Sequence, residues 1–524
     1  MHARSLAILF MALAGCTTLD PHARVPDEHI VMVNFRGRAV DPTDHPVLGI
    51  GHYREASDDE FREQLGRVTG HIGAFAHSFK DNTPAPAADA KLTDVSQSRE
   101  RAEALQKEQV TKSPPSAALA DPNASPHPRL VVFIHGGLNT QAGSVARAVK
   151  LHQKILDDGV YPVFVNWQSS LFSSYWDHLF LIRFGQEKPW QAWLTAPFVI
   201  GEDLFRALGR APMTLWNEVE SALETTHFYT SKNQRIGRKL ADDALAQNID
   251  VEFPEAHRNP GSGALILARD IALMIPHMVL GVLLDIGGTS SWEVMHRRTT
   301  LTMESEESYR ASTVAQAKLA PIPELFTRIR TLQEDLRHEG IELQVDIIAH
   351  SMGCIISNLL LQTARSKTDI GVEQAKSKVE ALPVFTNIVY MADADSVQKT
   401  ERAVHSYMLA RGHEHTNFFM LSLNDRAEVA ETAGWYLAPK GSLLVWIDHF
   451  FEGTPSMPDE RGGKMINQLF SLHRTPESLR SRIHVKSFTF ETDAPKTNPV
   501  QHGDFSDGKF WRPEYFTPRH AKPQ

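Results

Sequence analysis

The sequence predicts an α/β chain with a mostly parallel central sheet flanked by helices and a large helical cap insertion. Two apolar runs about two hundred residues apart carry this reading. Val131-Val132-Phe133-Ile134 ends in His135-Gly136-Gly137-Leu138-Asn139, and Val345-Asp346-Ile347-Ile348-Ala349 ends in His350-Ser351-Met352-Gly353. Apolar Val/Ile runs are what strands buried on both faces look like, and each stops at small residues. The third observation is the alternation of strand-like and helix-like segments on either side of one long interruption, Ser170 to Glu339. Such alternation builds parallel sheets with crossover helices.

The two strand ends also carry chemistry. A serine between small residues, after a strand and before the apolar helix pattern Cys354 to Leu361, is how a hydrolase displays a nucleophile. The turn is too tight for bulky neighbours, and its strain pushes the hydroxyl outward. A relaxed Gly/Ala-x-Ser-x-Gly pattern arises by chance roughly 0.4 times in a chain this long, so its context decides. The plain alternative is a serine at an ordinary helix N-cap. The His135-Gly136-Gly137 end supplies the other necessity, backbone N–H groups for a developing oxyanion. The predicted donors are the N–H of Met352 and that of Gly137. Together the two ends point to an α/β-hydrolase fold.

From the N-terminus, residues 1–15 read as a lipoprotein signal peptide. Met1 to Arg4 is a short basic region, and Ser5 to Ala12 an apolar core too short to span a bilayer. Leu13-Ala14-Gly15-Cys16 resembles a bacterial lipobox, which predicts lipid modification of Cys16 and a membrane-tethered chain. Thr17 in place of Asp resembles the sorting preference of enterobacterial lipoproteins for the outer membrane, which implies a site facing the periplasm. Residues 16–79 form a tether with a leading strand and helix. His29 to Phe35 could be a leading antiparallel strand, and Asp58 to Val68 has helical spacing. Residues 80–128 are rich in Ala, Pro, Ser, Lys and Asp, a low-complexity insert too polar to build a core. Residues 129–169 are the first half of the hydrolase core, with a helix at Ser144 to Leu156 and a strand at Tyr161 to Trp167.

Residues 170–339 are the predicted cap. Tyr175, Trp176, Phe180, Trp190, Trp193 and Phe198 crowd its first part. Its most apolar stretch, Ile271 to Leu284, is shorter than a membrane span and is flanked by Arg269-Asp270 and Asp285. This is either a helical subdomain with its own core or a lid whose apolar face meets acyl chains or a bilayer surface.

Residues 340–524 complete the core, with strands at Phe385 to Ala392, Thr416 to Leu423 and Ile483 to Phe490, and a helix from about Val397 to Arg411. In this fold the partners follow in the order serine, acid, histidine. An acid after the second strand beyond the elbow and a histidine after the last strand select Asp425 and His502. His502 would take the Ser351 proton while Asp425 orients the imidazole. Asp393 and Asp395 are rival acids, and His484 and His473 rival histidines. His135 and His350 occupy scaffold positions, and His413-Glu414-His415 reads as a solvated turn rather than a metal pair.

The turn at His135 to Asn139, the Ala349-His350-Ser351-Met352-Gly353 elbow, the Ala392-Asp393-Ala394-Asp395 strand end and Asn424-Asp425-Arg426-Ala427 resemble a bacterial α/β-hydrolase family of uncharacterised function. Its members carry an HGYN-like turn, an AHSMG elbow and an NDRA acid loop. The likeness covers about Arg129 to Trp167 and Leu343 to Phe505, and departs at Gly137, where an aromatic is common. It implies Asp425 as the acid and leaves the substrate open.

The 524 residues carry Lys+Arg 54 against Asp+Glu 63, a net charge of −9, with no basic block for nucleic acid. Of 2 cysteines one is Cys16, so a disulfide framework and a cysteine zinc site are excluded, and Cys354 reads as a core residue. No glycine loop for a nucleotide and no metal cluster is visible, so no cofactor is expected. The expectation is a membrane-anchored serine hydrolase of carboxylic esters, esterase- or lipase-like. A thioesterase, an amidase or peptidase, and a non-catalytic envelope binding protein remain alternatives.

Overall fold

The structure is a computed structural model that describes residues 24–44, 53–80, 127–184, 186–225, 232–243, 248–251, 253, 260–303, 320–363, 382–431, 439–454, 456–488 and 498–519. Cys16 and nearly all of the 80–128 insert lie outside the described residues.

Ten strands are described: β1 (Ile30–Val33), β2 (Arg129–Ile134), β3 (Val160–Trp167), β4 (Ile182–Arg183), β5 (Gln186–Glu187), β6 (Ile249–Asp250), β7 (Gln344–His350), β8 (Phe385–Met391), β9 (Asn417–Leu423) and β10 (Ile483–Phe488). Eight of them form one sheet in the order β1-β3-β2-β7-β8-β9-β10-β6, and every pairing is parallel. The apolar runs explain the centre: every residue of β2 and β3 is buried, as is all of β7 after Gln344. Asp346 interrupts the β7 run and is paired there: the Arg129 guanidinium and the Asn387 amide both donate to its carboxylate.

The helices that place the site are α1 (Asp58–Lys80), α2 (Gln141–Asp157), α3 (Leu171–Phe180), α4 (Pro189–Thr225), α5 (Pro260–Met303), α6 (Pro321–His338), α7 (Met352–Thr363), α8 (Val397–Met408), α9 (Asp425–Ala430) and α10 (Met465–Arg474). Side-chain caps fix several starts: the Thr140 hydroxyl accepts from Gly143 N–H and the Ser396 hydroxyl from Lys399 N–H.

Four expectations change. The leading strand is parallel to β3, because its backbone runs along the sheet edge in register Ile30 with Phe164 through Val33 with Trp167. Two pieces of the 170–339 interruption belong to the sheet body. Residues 249–250 form the edge strand beside β10, and α6 packs with α1 while its Gln333 amide donates to the Leu343 and Val384 carbonyls. Finally, the apolar stretch around Ile271 is part of a 44-residue helix. Within it Ala268–Met303 is long and apolar enough to cross a membrane by length and composition.

Candidate active site

β7 ends at the middle of the sheet, and Ser351 follows it with φ +53°, a left-handed conformation rare for a residue with a side chain. The strain is held by hydrogen bonds on both sides of the residue. Ser351 N–H donates to the Met391 carbonyl at 2.8 Å, and the Ser351 carbonyl accepts from Ala394 N–H at 3.3 Å. Small neighbours are a steric requirement here. A Cβ on Gly136 would sit 2.9 Å from Ser351 Cβ, and one on Gly137 2.7 Å from Met352 Sδ. Gly353 lies against the Ile134 and His135 carbonyls with no room for a side chain.

His502 Nε2 lies 2.9 Å from Ser351 Oγ. The loop carrying His502 is clamped at both backbone polar groups: its N–H donates to the Glu431 carboxylate at 2.9 Å, and its carbonyl accepts from His350 Nε2–H at 3.0 Å. His350 thus acts through His502 rather than on Ser351. Burial pushes His502 down to about 4, so the imidazole is neutral at neutral pH. His135 is pushed down to about 3 by burial; its Nδ1 faces the Gly136 carbonyl and its Nε2 accepts from Trp167 N–H, which makes it part of the scaffold.

The predicted oxyanion donors lie on neighbouring turns, with Gly137 against the Met352 side chain. Met352 opens α7, where an N–H has no partner within the helix, and Gly137 N–H makes no backbone hydrogen bond among the described residues. Leu138 holds φ +64° and donates its N–H to the Ser169 carbonyl at 2.9 Å, while Asn139 Nδ2 donates to the Gly136 and Gly137 carbonyls. These bonds occupy the carbonyls of the turn. Leu138 is also one wall of a narrow apolar cavity whose other walls include Leu171, Phe172, Leu284, Trp446 and Phe451.

The acid departs from expectation. No hydrogen bond or ion pair joins Asp425 to His502, because Asp425 opens α9 with its carboxylate accepting from Ile466 N–H on α10 and facing the Lys464 charge. Asp425 Oδ2 and His502 Nδ1 are both buried without a hydrogen-bond partner among the described residues, an acceptor and a donor. Burial raises Asp425 to about 6. The carboxylate that does touch His502 is Glu431, raised to about 7 by burial. Sequence reasoning missed it; its only signal was its place one helical turn and a half beyond Asp425 in the same loop.

The rival residues are engaged elsewhere. Asp393 accepts from Thr400 Oγ1 and Asp395 N–H, and Asp395 accepts from Asn358 Nδ2 and Ser396 N–H, so both brace the start of α8. His484 stacks on Phe419 within the sheet, and His473 sits in the last turn of α10. Among the described residues no cluster of side chains is suited to a metal ion. Comparison of the chain with family models, with curated proteins and with solved structures gives no match.

Proposed function

We propose that this chain is a serine hydrolase of the α/β-hydrolase class that cleaves carboxylic esters with apolar acyl groups. The observation that carries the reading is the 2.9 Å contact of Ser351 Oγ with a buried, neutral His502 at a left-handed elbow. In this reading Ser351 Oγ attacks the acyl carbon as its proton passes to His502 Nε2, and the developing oxyanion is held by Met352 and Gly137 N–H. Each such donor contributes about 3 kcal/mol to transition-state stabilisation. The imidazolium then protonates the departing alcohol, and water releases the acyl group by the same steps in reverse order. Asp425 closes on His502 Nδ1 as positive charge develops there, a tightening common at catalytic hydrogen bonds. The cavity beyond Leu138 receives the acyl chain, with α3 and α5 as the cap above it. Cys16 tethers the enzyme to the outer membrane.

One observation favours a second reading, a binding protein on the same fold: Ser351 is only 1% exposed and the acid bond is not made. Labelling with a fluorophosphonate probe separates the two. Wild type should label, and Ser351→Ala and His502→Ala should not. A folded wild type that stays unlabelled with and without detergent would sink the enzyme reading, and labelling that survives in Ser351→Ala would move the nucleophile.

A further inference from the structure

The helices α4 and α5 pack against each other as a long hairpin, and its polarity is inverted relative to a soluble helix pair. On α4, Trp190, Leu194, Phe198, Phe205 and Trp216 recur at roughly helical spacing and stand in the open, with Phe198 80% and Phe205 77% exposed. On α5, Ile271, Ile275, Val279 and Leu283 recur every four residues on the open side, with Ile275 70% exposed. Among the described residues from 189 to 216, only Glu202 of the exposed set carries a charge, and from 271 to 283 none does. The acids lie inside instead, each with a partner. Asp203 binds Arg206 at 2.8 Å, Asp285 binds Arg210 at 3.4 Å, His277 binds Glu218 at 2.7 Å, and Asp270 pairs with Lys440.

A soluble core helix buries its apolar side; only 22% of the most apolar window of α5 is buried. Apolar surface outward with paired charge inward is the arrangement that hydrocarbon surroundings favour. The hairpin also cannot leave the body to span a bilayer. Arg210 donates to the Phe450 carbonyl, Arg298 to the Gln168 carbonyl and Ser174, and Lys440 holds Asp270, so one side is fastened along its length. From Trp190 to Trp216 the stripe runs about 39 Å at 1.5 Å per residue, lying along the body rather than projecting from it.

We propose that the open face of this α4–α5 hairpin is a monotopic docking surface that lies in one leaflet of a lipid bilayer. The sheet body anchors the root of the hairpin from a second side. Arg36 pairs with Glu187 at 3.0 Å, two residues before α4, and Gly37 packs on the Leu301 backbone near the end of α5. The turn that follows β1 therefore meets the root of the hairpin. The docking does not depend on Ser351 chemistry.

The test uses the chain from Asp20, which keeps every described residue and lacks Cys16, with phosphatidylethanolamine–phosphatidylglycerol vesicles. The protein should float with the vesicles in a density gradient, equally at low and high salt, and its tryptophan emission should be quenched by brominated lipid. Ser351→Ala should float like wild type. The triple variant Phe198→Glu, Phe205→Glu, Ile275→Glu changes only exposed positions, so its melting temperature should hold while vesicle partitioning falls at least tenfold. The proposal is overturned if the wild type does not float, if the triple variant floats as well, or if binding vanishes with salt. It is equally overturned if the wild type is a dimer that the triple variant dissociates and neither binds lipid, since a second copy then covers the face.

Discussion

The C-terminal edge of the sheet and the α4–α5 hairpin both bury acids, and they treat them in opposite ways. At the sheet edge Asp393, Asp425, Glu428 and Glu431 are raised to between about 6 and about 8, chiefly by burial without a nearby cation strong enough to offset it. In the hairpin, burial alone would also push Asp203 up, but hydrogen bonds from His178 and Ser290 and the charge of Arg206 outweigh it and hold the carboxyl low. The hairpin uses its charges in pairs, as fasteners. The sheet edge keeps carboxyls whose protons are poised near neutral pH beside a neutral histidine, which is the kind of clustering expected of a reactive site.

The sharpest way to break this comparison is to remove the acids one at a time. Asp425→Asn should lower kcat by roughly 10³–10⁴-fold if its carboxylate steadies the imidazolium, as at other serine–histidine–acid sites. Glu431→Gln keeps an oxygen to accept the His502 N–H, so a loss nearer tenfold is expected from misplacement of the loop. For wild type, kcat/KM should rise with pH through about 6, because Asp425 must ionise to stabilise the charged ring while His502, near 4, is already neutral. That limb should vanish in Asp425→Asn. If Glu431→Gln proves the more damaging and removes the limb instead, the acid's role belongs to Glu431.

These residues mark where sequence reasoning succeeds and where it stops. The centre of the sheet was legible because the β2 and β7 runs, both flanked by helices, permit only one burial pattern, and because the glycines beside Ser351 leave no steric alternative. Ser351 was chosen from its small neighbours at a strand end, and His502 from the order of the strands. The partner of His502 Nδ1 could not, since a loop with Asp425, Glu428 and Glu431 offers three carboxylates and only packing against α10 decides where each turns. The parallel pairing of β1 was hidden for a similar reason: four apolar residues, Ile30 to Val33, read the same in either direction. In the hairpin, the aromatic content was plain but its direction was not. Hydropathy gives the width of an apolar face, and says nothing of whether that face looks in or out.

A second test concerns the fasteners. Arg298 is almost fully buried and joins α5 to α3, donating to Asp177 at 2.7 Å and to Ser173 and Ser174 near 3.0 Å. Arg298→Met leaves Asp177 without its cation, and breaking one half of a buried pair costs about 3 kcal/mol or more. Denaturation should show that loss, and Arg298→Met combined with Asp177→Leu should recover most of it. A single variant as stable as wild type would mean the hairpin is not held by its charges.

The smallest effect reads the protons directly. Burial raises Glu428 to about 8, with the Ser442 hydroxyl only partly offsetting it, so the folded chain keeps this proton where the unfolded chain has lost it. Folded protein then binds more protons than unfolded protein between about pH 4.5 and 8, and stability must fall as pH rises through that window. Its contribution is complete below the ordinary carboxyl range and is lost as pH passes about 8. Buried histidines such as His29 and His135 act with the opposite sign, but theirs is spent once pH exceeds their ordinary value near 6.5. Melting temperatures measured above that pH therefore isolate the acids. Wild type should lose stability steadily from there toward pH 8.5, and Glu428→Gln, which cannot ionise, should lose less. Equal slopes would mean that Glu428 is ionised in the folded chain, and the sheet edge would then handle this acid as the hairpin handles its own.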